Sequence, residues 1–344
     1  MKALVLEEYN RFVYKDVAVP VYNDEEVLIR IKACAVCGSD VHGMDGSTGR
    51  RIPPLIMGHE AAGTIEACGR NVAEYKPGDR VTFDSTIYCN SCHMCATGRT
   101  NLCGDRRVLG VSCAEYHMDG AFAEYVAVPQ HILYKLPDNV TFQQAAMIEP
   151  LSIAYHAVTR TPVRAGDSVM MVGVGTIGML ALQLAVSMGA SEVIAVDVDE
   201  NRLKTARENG ASFCCNSGTQ DAVALVRAHL REKSGVDIAI DATGIEATVN
   251  ICVDAVSLGG RVVLVGNLAK SVELPLQTVV TREISLFGSC SSAGEYGECL
   301  KLIADGSVDV DAIVSKIVPL SEGGEWIARV RDKEEGLYKI ILEM

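Results

Sequence analysis

Asp167-Ser168-Val169-Met170-Met171-Val172-Gly173-Val174-Gly175-Thr176-Ile177-Gly178 is the stretch that decides how this chain folds. The apolar run Val169–Val172 reads as a short buried strand. It passes without a linker into G-x-G-x-x-G, and a helical pattern follows over Met179-Leu180-Ala181-Leu182-Gln183-Leu184-Ala185. A second apolar run, Glu192-Val193-Ile194-Ala195-Val196, closes on Asp197, 19 positions after Gly178. A glycine triplet alone is weak evidence. Between a strand and a helix, with a carboxylate ending the next strand, it is a strong signal for a dinucleotide site. Gly173 permits the tight turn, Gly175 lets a pyrophosphate approach the backbone, and Gly178 lets the helix lie close on the strand. The N–H groups of Thr176 and Ile177, at the positive end of the helix dipole, face the phosphates. Asp197 is expected to accept hydrogen bonds from the adenosine ribose. Asp199 adds a second negative charge and no Arg or Lys follows directly. A 2′-phosphate would be repelled, so the expected cofactor is NAD. Arg202 is read either as a neighbour of the adenine or as a solvated helix residue.

Outward from this stretch, apolar strands are expected at Ser212–Cys215, Asp237–Asp241, Arg261–Val265 and Ile284–Phe287. With the first two they make the six strands of a Rossmann-type doubly wound parallel sheet, assigned to residues 156–285. Ala242-Thr243-Gly244 and Val265-Gly266-Asn267 fall at strand C-terminal ends, where the nicotinamide half would lie. The first third of the chain has a different texture. Short runs such as Ala3–Leu6, Glu26–Ile31, Gly63–Ala67 and Asp79–Phe83, broken by Pro20 and Asn23-Asp24, read as β-strands and turns. A polar helix is expected near Glu295–Asp305, then a last strand at Gly336–Ile341 with no natural place in the completed sheet. It is expected to rejoin the β-rich part, giving a discontinuous domain of residues 1–155 and 286–344.

The β-rich part carries the metal-ligating residue types. Cys37-Gly38-Ser39-Asp40-Val41-His42 is followed by Gly58-His59-Glu60, so a thiolate, an imidazole and a carboxylate lie within two dozen residues. Cys89-Asn90-Ser91-Cys92-His93-Met94-Cys95, then Cys103 after seven residues, supplies four thiolates for one tetrahedral ion. Such a closed site has no open position and holds a lobe together. Cys34, Cys68, Cys113, Cys214, Cys215, Cys252, Cys290 and Cys299 lack this spacing and read as small packed residues.

Composition sets the outer limits. The 344 residues suit two domains, and the net charge of −13 argues against a nucleic-acid surface. No apolar run approaches the roughly 20 residues of a membrane span. The start, Met1-Lys2-Ala3-Leu4-Val5-Leu6-Glu7-Glu8, turns acidic too early for a secretory signal, so a cytoplasmic location is expected and disulfides are not.

Taken together, Cys37–Asp40, Gly58-His59-Glu60-Ala61-Ala62-Gly63, the four-cysteine lobe, Gly78-Asp79-Arg80-Val81, Gly120–Tyr125 and the glycine fingerprint resemble the zinc-dependent medium-chain alcohol dehydrogenases over essentially the whole chain. The resemblance implies an α/β protein: the Rossmann domain plus a mainly β, GroES-like catalytic domain. Glu149-Pro150-Leu151-Ser152 resembles the polyol branch (sorbitol and galactitol-1-phosphate dehydrogenases) and threonine dehydrogenase, where a glutamate stands in place of a third cysteine. It implies Cys37 and His59 as fixed zinc ligands, with Glu60 and Glu149 sharing the remaining positions with water or substrate. Asp40 would fix the tautomer of His59. Zinc would acidify a substrate hydroxyl, NAD would take the hydride, and Ser39 and His42 would relay the proton. Two zinc ions per chain are implied, one catalytic and one structural.

The expected substrates are polyols or sugar-alcohol phosphates. L-Threonine is the alternative, and a homodimer or homotetramer is the implied assembly. Gly288-Ser289 departs from the Arg-Tyr pair of animal-type sorbitol dehydrogenases, which weakens sorbitol itself. Arg50 and Arg51 either meet a phosphate or are solvated, and His156 reads as a packed helix residue. A zinc-free quinone reductase would lack Cys37, His59, Glu149 and the lobe. A non-catalytic protein would not need the ligands and the relay together.

Overall fold

The computed structural model describes residues 1–230, 233–332 and 334–344. The chain forms two compact units: Met1–Glu149 with Tyr296–Ala304 and Ile313–Met344, and Pro150–Glu295 with Asp305–Ala312.

The second unit is built on six parallel strands in the spatial order Phe213–Asn216, Glu192–Asp197, Ser168–Val172, Val236–Asp241, Val256–Leu264, Ser285–Gly288. The third strand in sequence lies at one edge and the first near the middle, which is the doubly wound order with its reversal at Ser168–Val172. Every residue of that strand is buried, as expected where helices cover both faces. Met170, Val172, Ile194, Val196, Ala239 and Val262 form its core. All six expected strands are present, with ends displaced by up to a few residues. The expected domain boundary at 286 falls inside Ser285–Gly288, which pairs with Val256–Leu264 and so stays in this sheet. The boundary expected at 155 lies within the helix Ile148–Thr159, and the units divide at Glu149. Asp305–Ala312 is held by Gln183, whose Nε2 donates to the Asp309 carbonyl (2.8 Å) and whose Oε1 accepts from its N–H (2.7 Å).

In the first unit, the strand Glu26–Ala35 pairs with Glu60–Cys68, Tyr125–Pro129 and Lys339–Glu343. The last strand runs antiparallel to Glu26–Ala35 and parallel to Val314–Pro319, inside a seven-stranded sheet. A smaller sheet of Arg11–Asp16, Lys2–Glu8 and Leu55–Ile56 lies apart from it. Leu4, Leu6, Ile29, Ile31, Phe83 and Phe122 fill the core between them. The register sets the chemistry. Ala35 is opposite Glu60 and Ile341 is opposite Ala35, so the residues just past Ala35, just before Glu60 and just before Ile340 meet at one sheet end.

Candidate active site

Cys37, His59 and Glu60 are the residues that this register brings together. One ligand atom from each lies within 4.8 Å of the others. Cys37 is the N-cap of the short helix Gly38–Gly43: its sulfur accepts from the Ser39 N–H at 3.4 Å, while Asp40 Oδ2 accepts from the Cys37 N–H at 3.1 Å. This reciprocal cap fixes the loop without a metal. The cap also places Ser39 and His42 three residues apart on one exposed helix face. Gly58 takes φ +91°, and a Cβ there would lie 2.4 Å from the Phe122 ring, so only glycine turns the chain into His59.

The surroundings call for a cation. Burial, and then the neighbouring Glu60, push the Cys37 thiol far above its ordinary range. Glu149, in the first turn of Ile148–Thr159, accepts from Ser85 Oγ at 3.0 Å and is pushed up to about 7, chiefly by burial. Its oxygens lie outside the tight Cys37–His59–Glu60 group, although His59 and Glu60 both act on its charge. Asp40 is completely buried, with Oδ1 3.6 Å from His59 Nδ1. A thiolate, an imidazole and carboxylates in a shielded site fit Zn²⁺ and its preference for mixed N, S and O donors.

Two members of this site were not legible in the sequence. Lys339 is 3% exposed and ion-paired to Glu60, which is 1% exposed. Burial alone would push the Lys339 ammonium down, but Glu60 and then Cys37 hold it up. Tyr296, fully buried, accepts from the Ser85 N–H at 3.3 Å and stacks on Tyr134, which supports the serine that holds Glu149. Lys339 and Tyr296 are more than 200 residues from Glu60 and Ser85, and no local pattern marks them. Arg51 corrects an expectation. It is 4% exposed and turned toward Asp40, whereas Arg50 is exposed, with Nη2 3.4 Å from the Tyr116 hydroxyl.

The sulfurs of Cys89, Cys92, Cys95 and Cys103 form a second group within 4.8 Å. The Cys92–Cys95, Cys89–Cys95 and Cys92–Cys103 separations are 3.6, 3.9 and 3.9 Å. Zn–S bonds of about 2.3 Å in a tetrahedron put sulfurs about 3.8 Å apart. The four thiols are free of disulfides, so the packing matches one closed ion. Of the remaining cysteines, Cys34, Cys215, Cys252 and Cys299 are core residues and Cys290 is exposed. His156 Nδ1 lies 2.5 Å from Glu295 Oε1 and belongs to neither metal-ligating group.

In the second unit the three glycines of the fingerprint have three different surroundings. Gly173 has φ +85°. A Cβ on Gly178 would lie 1.9 Å from the Gly173 carbonyl oxygen, whereas one on Gly175 would meet only Arg202 Nη1, at 3.8 Å. The open face at Gly175 leaves room for a pyrophosphate, and no side chain caps the helix Thr176–Ser187 that starts there. Asp197 Oδ2 accepts from the Val174 N–H at 2.8 Å, and Oδ1 accepts from the N–H groups of Val198 and Asp199. Asp199 departs from expectation. Its carboxylate accepts from Asn201 and Arg202 N–H groups as the N-cap of Glu200–Glu208, so its charge is committed to that helix. Arg202 sits beside Asp197, Nη1 to Oδ2 3.9 Å.

The family model of the alcohol dehydrogenase GroES-like domain matches residues 23–138, and that of the zinc-binding dehydrogenases matches residues 176–305. The chain belongs to the zinc-dependent alcohol dehydrogenase family. This dehydrogenase is therefore an oxidoreductase that uses zinc and a nicotinamide cofactor. It is 32% identical to the sorbitol dehydrogenase of Bacillus subtilis over 347 residues, covering 99% of this chain and 97% of that one. A protein described as a zinc-binding dehydrogenase from Sinorhizobium meliloti 1021, bound to NADP, superposes with a TM-score of 0.92 at 30% identity, over 100% of this chain and 99% of that chain. Galactitol-1-phosphate dehydrogenase from Escherichia coli gives a TM-score of 0.92 at 25% identity, with both chains fully covered. Among the described residues, no helix of this dehydrogenase is long and apolar enough to cross a membrane.

Proposed function

We propose that this dehydrogenase oxidises a secondary alcohol of a polyol or sugar-alcohol phosphate to the ketose, with NAD as the hydride acceptor. The observation that carries the reading is Glu149: a buried carboxylate, not a thiol, stands beside Cys37, His59 and Glu60. The likeness to sorbitol and galactitol-1-phosphate dehydrogenases supports it.

Cys37 and His59 hold the catalytic zinc, and Glu60 and Glu149 share the remaining positions with solvent or substrate. When bound, zinc would supply Lewis acidity toward the substrate hydroxyl and the nicotinamide would supply the hydride acceptor. Asp40 faces the far nitrogen of the His59 ring, Oδ1 to Nδ1 3.6 Å, where it favours the tautomer protonated at Nδ1. Ser39 Oγ accepts the proton of the substrate hydroxyl while passing its own toward the His42 imidazole on the same helix face. Cys89, Cys92, Cys95 and Cys103 hold a second, structural zinc, and the active assembly is a homodimer or homotetramer. NAD is preferred over NADP because the buried Asp197 carboxylate, three of whose acceptor positions are taken by backbone N–H groups, has room for a ribose hydroxyl and repels a phosphate.

The test is a panel of sorbitol, galactitol 1-phosphate, an inositol and L-threonine with NAD⁺, followed by NADH absorbance. Turnover of at least one polyol above L-threonine is the expected result. Turnover of L-threonine alone overturns the polyol reading.

A further inference from the structure

Arg51 is buried beneath the helix that carries the relay, where neither a surface role nor a phosphate-binding role explains it. Its Nη2 lies 3.3 Å from Ser39 Oγ and 3.3 Å from Asp40 Oδ1, and its Nη1 donates to the Arg50 carbonyl at 3.1 Å. The same nitrogen therefore gives one proton to the relay hydroxyl and one to the carboxylate facing His59. Its Nε is buried without a partner, so the guanidinium is held by this fork and by its stem. The stem runs where Gly43 leaves room: a Cβ at Gly43 would come within 2.8 Å of Arg51 Cγ.

We propose that Arg51 is a positioning residue for the proton path, a permanently charged fork that ties the Ser39 hydroxyl to the Asp40 carboxylate. A serine at an exposed helix start otherwise turns among three staggered rotamers. Donation from Arg51 occupies one lone pair of Ser39 Oγ, which leaves the other to accept the substrate proton and directs the serine's own proton toward His42. Lysine cannot reproduce this, because its ammonium is a point charge and not a planar fork. The inference rests on the proposed relay, and the experiment separates the two.

Two variants keep the buried charge: Arg51→Lys, and Gly43→Ala, whose Cβ meets the arginine stem at 2.8 Å. Each is combined with Ser39→Ala, and kcat, KM for NAD⁺, the thermal midpoint and the rate of zinc transfer to a chelating dye are measured. Arg51→Lys and Gly43→Ala are expected to lower kcat about tenfold with KM for NAD⁺ within about twofold, the kind of loss a slightly misplaced group produces. In the Ser39→Ala background each should change kcat by less than about twofold, because residues acting through one another are not additive. Arg51→Lys should leave zinc transfer within about twofold of wild type, whereas Arg51→Gln, which strips the charge from Asp40, should speed it about tenfold.

Multiplying effects in the double variants would overturn the proposal. So would faster zinc loss in Arg51→Lys equal to that in Arg51→Gln, which would place the action on His59 instead. Loss of fold in both Arg51→Lys and Gly43→Ala would assign Arg51 to structure alone. If Ser39→Ala alone keeps the wild-type rate, the relay itself falls, and Arg51 with it. If Ser39→Ala is slow and Arg51→Lys is not, only the role of Arg51 falls.

Discussion

At the scale of single residues, Asp197 and Ser39 give the sharpest tests. The Asp197 carboxylate is buried and held by Val174, Val198 and Asp199, so it cannot turn away from a phosphate placed on the ribose. NAD⁺ should be favoured over NADP⁺ by at least about tenfold in kcat/KM, about 1.4 kcal/mol. Asp197→Ser should weaken NAD⁺ binding and narrow that ratio; equal kcat/KM for both cofactors in the wild type would falsify the assignment. Ser39→Ala should lower kcat on the order of 10²-fold, the usual worth of general acid–base assistance. His42→Ala should lower it less, because water can replace an imidazole at the exposed end of the relay. Steady-state kinetics on zinc-loaded protein decides it, and a Ser39→Ala enzyme at the wild-type rate makes Ser39 a turn residue.

The next scale is the element. The lobe from Cys89 to Cys103 has two short helical turns and no apolar core of its own, so an ion held by its four sulfurs would be its main cross-link. Elemental analysis after zinc reconstitution should give two zinc ions per chain. Cys92→Ser should bring this to one and lower the thermal midpoint. Cys37→Ser should abolish turnover and leave the midpoint nearly unchanged, because the Gly38–Gly43 helix keeps the Asp40 half of its cap. A single zinc in the wild type, or no thermal difference between the two variants, counts against the division of labour. The helix Thr176–Ser187 is subject to a purely steric test. With Gly173 O only 1.9 Å from a Cβ at position 178, Gly178→Ala must lift the helix off its strand. A loss of about 1–3 kcal/mol, the usual cost of overpacking, is expected in denaturant unfolding, together with weaker NAD⁺ binding.

Across the whole molecule, the last strand is the element on which the first unit depends most. Lys339–Glu343 lies between Glu26–Ala35 and Val314–Pro319, and Ile341 and Leu342 are fully buried there. Leu342→Ala should destabilise by about 2–5 kcal/mol in equilibrium unfolding. A loss below about 1 kcal/mol would mean that the strand is dispensable to the sheet. The same strand shows what could be read without coordinates. Its existence and its departure from the parallel sheet follow from the sequence, because six strands already complete that sheet. The glycine fingerprint, the carboxylate at 197, the Cys37–His59 pair and the four-cysteine lobe are legible for a related reason: each lies within about two dozen residues of chain, in a spacing tied to one recurring arrangement of elements. Lys339 beside Glu60, Tyr296 behind Ser85, and Arg51 beneath Ser39 were decided only by the tertiary structure. The turning of Asp199 into its own helix is by contrast local, a cap onto N–H groups two and three residues on, and it follows from the chain's own spacing. A lysine, a tyrosine or an arginine looks the same in sequence whether it faces water or a buried carboxylate. Strand register decides for Lys339 and packing for Tyr296, hundreds of positions from their partners, and the turn of the loop after the Gly38–Gly43 helix decides for Arg51, since a buried charge must find its partner wherever the fold brings one.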